Sequence, residues 1–406
     1  MLRRALLLLV LPCASACAHY PENQPLDADL PRTSGYRFES LAHSAPNTDA
    51  TLVCLSFGGG GARAGAMAYG VVRTLHETKI AGGRRLVDEV DVISAASGGA
   101  FPAAFLGAFG PRKFLAEFRE TVLQRDLGMG TFWRAALCPY NLVRICSPWF
   151  NRSDLASELY EDTIYGDLTY AALQRQGRPF VVLNATDMLD GSRFEFTQDR
   201  FDALGSSLSP VKLARAVASS AAFPVLLTPV AFRDYNYPQA RWVHLIDGGL
   251  VDNLGLGYVL ESYQRGSLRD LIATGKVERV VFVVVNARNR VPEELSASPQ
   301  APGAGTALVY GLDAAIDRRS DDQSRLLAEL SQRGVIPADE AGPEVHYIEI
   351  DLDDLPNREQ RERLLGVETT FGLPEETIDE LVEAAAQLLA ENPVFQHVQA
   401  ELRDVE

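Results

Sequence analysis

The stretch VISAASGGAF, Val92 to Phe101, puts one hydroxyl, that of Ser97, among Ala95, Ala96, Gly98 and Gly99. An apolar run leads into it and good helix formers lead out, so it reads as strand, tight turn, helix. A serine in such a turn stands above the edge of a sheet, and bulky neighbours would clash in the strained backbone that holds it there. The pattern is G-x-S-x-G with Ala95 in the first glycine position. By itself it fits a structural turn as well as a nucleophile, so the flanking sequence has to decide.

On either side, apolar strand-like runs alternate with helical ones. TLVCLSF (51–57), LVDEVDVISA (86–95), PFVVLNATD (179–187), WVHLID (242–247), ERVVFVVVNA (278–287) and EVHYIEIDL (344–352) read as strands, and RFEFTQ (193–198) as an edge or antiparallel one. ARAGAMAYGVVRTLHET (62–78), GAFPAAFLGAF (99–109) and KLARAVASSAAFPVLL (212–227, ended by Pro224) read as helices. The alternation predicts an α/β domain over 51–395, a mostly parallel central sheet sandwiched by helices. A long loop is expected at about 290–306, an amphipathic helical end at 373–402 and a C-terminal tail at 396–406.

The 406 residues are 47% apolar and 23% charged, enough for a sizeable core. A net charge of −16 without a basic stripe argues against nucleic acid. The N-terminus, MLRRALLLLVLPCASAC, pairs two arginines with an apolar run too short to span a bilayer and then small residues. Residues 1–16 therefore read as an export signal, and Ala14-Ser15-Ala16-Cys17 resembles a lipobox, with ordinary cleavage near Cys17 as the alternative. Cys17 is the expected lipidation site and 17–50, polar and proline-bearing, a flexible tether from it. Ala18 is not the aspartate associated with inner-membrane retention. The expectation is an exported lipoprotein anchored in the outer membrane of a Gram-negative bacterium, with its side and its oligomeric state left open.

Of the five cysteines, Cys13 lies in the signal and Cys54 in a buried strand. Cys138 and Cys146 form a disulfide or remain free thiols, and sequence favours neither. No cysteine–histidine grouping has zinc spacing, so no metal or other cofactor is expected.

SFGGGGARAG sets Gly58 to Gly61 between a strand and a helix, where backbone N–H groups and the helix N-terminus can face an anion. No Gly-Lys-Ser/Thr follows, and the glycine offsets do not match a dinucleotide fingerprint. What remains is a cradle for an oxyanion or a phosphate, with Arg63 nearby as a fixed cation. The six histidines offer Ser97 no obvious base. His244 lies three positions before Asp247, and on a strand those side chains point to opposite faces. Asp247, followed by Gly248 and Gly249, can take a serine proton directly, or it simply opens a turn.

Taken in order, GGGGAR, ASGG and DGGLVDN resemble the patatin-like phospholipase family, acyl hydrolases with a serine–aspartate dyad. The blocks NATDMLDGSRFEFTQ, ARAVASSAAFPVLLTPV and ETTFGLPEETIDELV extend the likeness over about 51–395, nearest the bacterial lipoprotein branch. The resemblance implies a three-layer α/β fold, Ser97 as nucleophile, Asp247 as base and oxyanion N–H groups from Gly59, Gly60 and Gly61. Arg63 would steady that loop or a substrate phosphate, and Gly98, Gly99, Gly248 and Gly249 would support the two turns. Ala64 and Ala95 depart from the family's glycines by one methyl each. The implied substrate is a lipid acyl ester, cleaved as by a phospholipase A or lysophospholipase. The competing reading is a non-catalytic lipid- or partner-binding lipoprotein on the same scaffold, and a third is a triad using His346 or His397. MGTFWRAALCPYNLVRICSPWF (129–150), aromatic and poor in charge, is expected to form an acyl-site mouth, a lipid-facing surface or an ordinary packed cap.

Overall fold

Three runs of hydrophobic and small residues, Thr51–Phe57 (β1), Val90–Ala96 (β2) and Phe180–Asp187 (β3), are buried at every position. Strands covered on both faces belong in the middle of a parallel sheet. In this computed structural model the described residues are 18–404, apart from 28–30, 32, 43–46, 225, 289, 291–298, 300 and 334–341. The proposed signal and Cys17 therefore lie outside the described residues.

After β1 comes helix α1 (Gly61–Glu77), and after β2 comes α2 (Ala100–Phe118). The chain then forms α3 (Leu127–Ala136), α4 (Pro139–Arg144) and α5 (Arg152–Tyr160) before β3. Beyond β3 lie β4 (Arg193–Glu195), α6 (Leu213–Ser220), β5 (Val230–Asp234), β6 (Arg241–Asp247) and α7 (Leu256–Arg265). The last part comprises β7 (Arg279–Asn286), α8 (Ala304–Arg333), β8 (Glu344–Asp351), α9 (Glu375–Glu391) and α10 (Pro393–Asp404).

The main sheet runs β8-β7-β1-β2-β3-β6-β5, with β4 against β3. The pairs from β8 to β3 are parallel, whereas β4 and β6 run antiparallel to β3, and β5 antiparallel to β6. Helices cover both faces, giving the α/β sandwich that the sequence predicts. Among the described residues, no helix is long and apolar enough to cross a membrane.

Several boundaries differ from expectation. Asp247 does end its strand, but β6 enters the sheet in reverse and meets β3 only at Ala185, Thr186 and Asp187, the last residues of that strand. That short pairing brings Asp247 back to the edge where β2 ends. The stretch expected to be a flexible tether is laid on the body over its described residues. Gln24 and Pro25 pair with Ser207 and Ser206, and Tyr36 and Phe38 are buried in the core. The expected tail at 396–406 continues α10, whose Val398 and Leu402 are buried. Cys138 and Cys146 are both free thiols.

Candidate active site

Ser97 sits where β2 turns into α2, and among the described residues it is the non-glycine residue with a left-handed φ, 52°. An L-residue reaches that backbone region only under strain that the surroundings impose. Here the surroundings leave no alternative. A Cβ on Gly98 would lie 2.3 Å from the Gly61 carbonyl oxygen, and one on Gly99 would lie 2.3 Å from that of Phe57. The Ser97 N–H donates to Ser220 Oγ at 3.1 Å, and that hydroxyl donates to the Asn184 carbonyl at 2.7 Å. Ser220 and Asn184 therefore lock the turn. Both lie in blocks quoted for the resemblance, but nothing in their spacing points to this role.

The Ser97 hydroxyl donates to Asp247 Oδ2 at 2.8 Å, while the Gly249 N–H holds Oδ1 at 2.7 Å. Asp247 is 1% exposed, and no cation pairs with it among the described residues. Burial pushes its pKa up to about 7; the two hydrogen bonds pull it down and the charge of Asp313 adds to the rise. A carboxylate poised near neutrality, already bonded to a hydroxyl, has the geometry and proton affinity of a general base. Gly248 is required because a Cβ there would meet the Asn184 carbonyl oxygen at 2.1 Å.

The glycine loop narrows to fewer donors than the sequence implies. Gly58 N–H bonds the Val285 carbonyl at 2.9 Å and Gly59 N–H bonds the Asn253 carbonyl at 2.8 Å. Gly59, expected to face an oxyanion, is thus committed to the scaffold. Gly60 and Gly61, at the start of α1, make no N–H hydrogen bond among the described residues and keep the free donors of a helix N-terminus. The Gly60 φ of 136° is essentially a glycine conformation, and the Gly61 φ of 60° lies in the left-handed region that favours glycine.

Arg63 is 1% exposed, and its guanidinium donates to the Ala287 carbonyl at 2.9 and 2.8 Å, to the Val367 carbonyl and to Thr369 Oγ1. Burial lowers its pKa to about 10. Of the two roles expected for it, the contacts match steadying the loop and leave no fork for a phosphate.

Ser97, Asp247, Gly60, Gly249 and Asn253 line a cavity of about 40 Å³ whose outer wall is Asp313, Ile316 and Asp317 of α8. Sequence reading missed this helix, although Leu308, Leu312 and Ile316 carry its period of four. His346 pairs in register with Val281, near the starting ends of the parallel strands, and meets the His397 ring edge to face. Ser97 follows the finishing end of β2, so neither histidine reaches it, and His244 is exposed. Glu344, His346 and Glu401 do offer atoms within 4.8 Å of one another, but Arg279 Nε, 3.5 Å from Glu401, already supplies positive charge there.

The profile of the family described as patatin-like phospholipase matches residues 55–260, which include the glycine loop, Ser97 and Asp247. The chain belongs to the patatin-like phospholipase family. Among solved structures, this patatin-like chain is similar to human GIVD cytosolic phospholipase A2, with 12% identity, a TM-score of 0.49 and 87% of this chain covered. It spans 60% of that protein's length. Its similarity to VipD from Legionella pneumophila is 12% in identity over 91% of this chain and 71% of that one, at a TM-score of 0.32. No curated protein matches the chain in sequence.

Proposed function

We propose that the protein is a lipid acyl hydrolase of phospholipase A or lysophospholipase type, with Ser97 as nucleophile and Asp247 as general base. The observation that carries this reading is the strained Ser97 with its hydroxyl 2.8 Å from a buried carboxylate that no cation pairs among the described residues. Asp247 takes the hydroxyl proton as Ser97 Oγ bonds to the ester carbonyl carbon. The Gly60 and Gly61 N–H groups hold the oxyanion. Collapse breaks the ester C–O bond, and the proton passes from Asp247 to the departing alkoxide. Water then attacks the acyl-serine, gives its proton through Asp247 to Ser97 Oγ and releases the fatty acid. A cavity of about 40 Å³ has room for only a water or so, so a lipid enters when α8 moves off it.

The test is hydrolysis of a phospholipid, lysophospholipid and short-ester panel by wild type, Ser97→Ala and Asp247→Asn. Folded but inactive variants support the dyad, and the preferred ester names the substrate. An inert wild type would favour the non-catalytic lipoprotein instead. Export through residues 1–16 and acylation at Cys17, with anchoring in a Gram-negative outer membrane, belong to the same proposal. Radiolabelled palmitate incorporation that persists in Cys17→Ser would refute the acylation.

A further inference from the structure

The face built by α3, α4 and Trp149 turns its apolar side chains outward. Phe132, Trp133, Leu137, Tyr140, Leu142 and Trp149 are all exposed, Leu137 by 74% and Trp149 by 64%. An ordinary packed cap would bury them. Residues 127–150 contain no Asp or Glu in a chain that has 54. Their two cations are tied to the body, Arg134 to Asp162 at 2.7 Å and Arg144 to Glu158 at 2.9 Å. The face is therefore apolar, rich in aromatic residues and free of net charge, on a molecule whose acidic remainder would be repelled by an anionic surface.

Two further observations say what covers it. The Ser147 hydroxyl donates to the Ala18 carbonyl at 2.7 Å and accepts the Trp149 N–H, so the described chain starts beside Trp149, next in sequence to the proposed acylation site Cys17. The same face adjoins the candidate site at both ends. Leu127, in the first turn of α3, shares a narrow apolar seam with Gly61, Gly98, Phe101, Leu123 and Phe371. At the other end Asn151 Oδ1 accepts the Thr228 hydroxyl at 2.7 Å, in a segment that begins at Phe223, a wall of the Ser97 cavity.

We infer that this face docks on a phospholipid bilayer, with Trp133, Trp149 and their neighbours entering the interfacial layer. The docking stands without the proposed reaction. Trp and Tyr suit that layer because their rings are apolar and their polar edges remain wet.

The test uses the full chain carrying Ser97→Ala, so that vesicles survive, and Cys17→Ser, so that no acyl anchor contributes. Phosphatidylcholine vesicles with brominated acyl chains should quench its tryptophan fluorescence. Adding Trp133→Ala and Trp149→Ala should weaken vesicle binding at least about tenfold. Raising salt from roughly 0.1 to 0.5 M should change binding by less than about twofold, because no charge drives it. Leu137→Glu, at an exposed site that leaves the fold intact, should weaken binding in the same way. Undiminished binding by these variants, or binding abolished by salt, would overturn the inference. So would tryptophans already shielded from iodide without lipid, whether by residues 1–17 or by a second copy seen in sedimentation. Loss of ester hydrolysis is read separately, in chains that keep Ser97, so failure of the chemistry cannot be mistaken for failure of docking.

Discussion

Asp247 and Asp91 are each 1% exposed and belong to the same sheet, at opposite ends of its strands. Asp91 opens β2, where Arg178 Nη1 lies 2.6 Å away and the Val53 N–H and Asn47 side chain donate at 3.0 and 3.1 Å. Asp247 closes β6 with a serine hydroxyl, one backbone N–H and no guanidinium. Burial raises both, Asp91 to about 6 and Asp247 to about 7. Arg63, which lines the same cavity as Asp247, is turned onto carbonyls instead. A buried carboxylate with a cation braces the fold, whereas one held only by neutral donors, a hydroxyl among them, has the arrangement needed for proton transfer.

Exchanging each for its amide is the strongest way to break the comparison. Asp247→Asn should lower hydrolysis by about 10⁴-fold or more while the protein folds normally. Asp91→Asn should leave turnover per folded molecule within about twofold, yet cost about 3 kcal/mol by leaving Arg178 buried and unpaired. Denaturant unfolding beside steady-state kinetics checks both, and equal kinetic losses would erase the distinction.

The next largest effect belongs to the glycine loop. Gly60→Ala would place a Cβ 2.6 Å from the Ala287 carbonyl oxygen, and Gly61→Ala one 2.2 Å from that of Thr370. Either should cost about 10²–10³ in kcat, the size of a lost oxyanion donor. Gly59, whose N–H is committed to Asn253, should affect stability as much as rate.

Acidity sharpens the comparison further. A base raised to about 7 is protonated below that value, so kcat/KM should fall tenfold per pH unit on the acid side of neutrality. An acid limb with its midpoint near 4 would contradict an unpaired Asp247. Stability runs the opposite way. The folded pKa of Asp247 exceeds its unfolded value of 3.8, so its contribution is complete below that value and is lost as pH rises toward 7. Asp247→Asn should therefore melt higher than wild type at pH 8, by a few degrees.

The smallest effect concerns α8. The Asp313 charge raises Asp247, so Asp313→Asn should move the acid limb toward lower pH without lowering the plateau. A limb that stays put would show that this carboxylate does not act on the base.

Much of this was legible in the chain because local chemistry wrote it. The continuous apolar runs of β1, β2 and β3 announced buried parallel strands. The small residues around Ser97 announced a turn too tight for side chains. Strand direction was not legible, since periodicity is the same for either orientation, and the reversed β6 emerged only with its pairing to Ala185. Nor do four successive glycines say which N–H is free; the scaffold decides by taking Gly58 and Gly59. The polar, proline-bearing composition of 17–50 hid Tyr36, whose hydroxyl oxygen accepts the Val181 N–H at 2.8 Å deep in the core. β5 is short and follows Pro229, and α8 follows a stretch of sequence rich in proline and glycine that hid its apolar stripe.

The most direct measurement is the rate at which a fluorophosphonate labels the protein, with the modified residue located by peptide mass mapping, in wild type and Asp247→Asn. The account predicts one label, on Ser97, formed at least about 10²-fold more slowly in the variant. A label on another residue, or equal rates in both proteins, would contradict the claim that Asp247 activates Ser97.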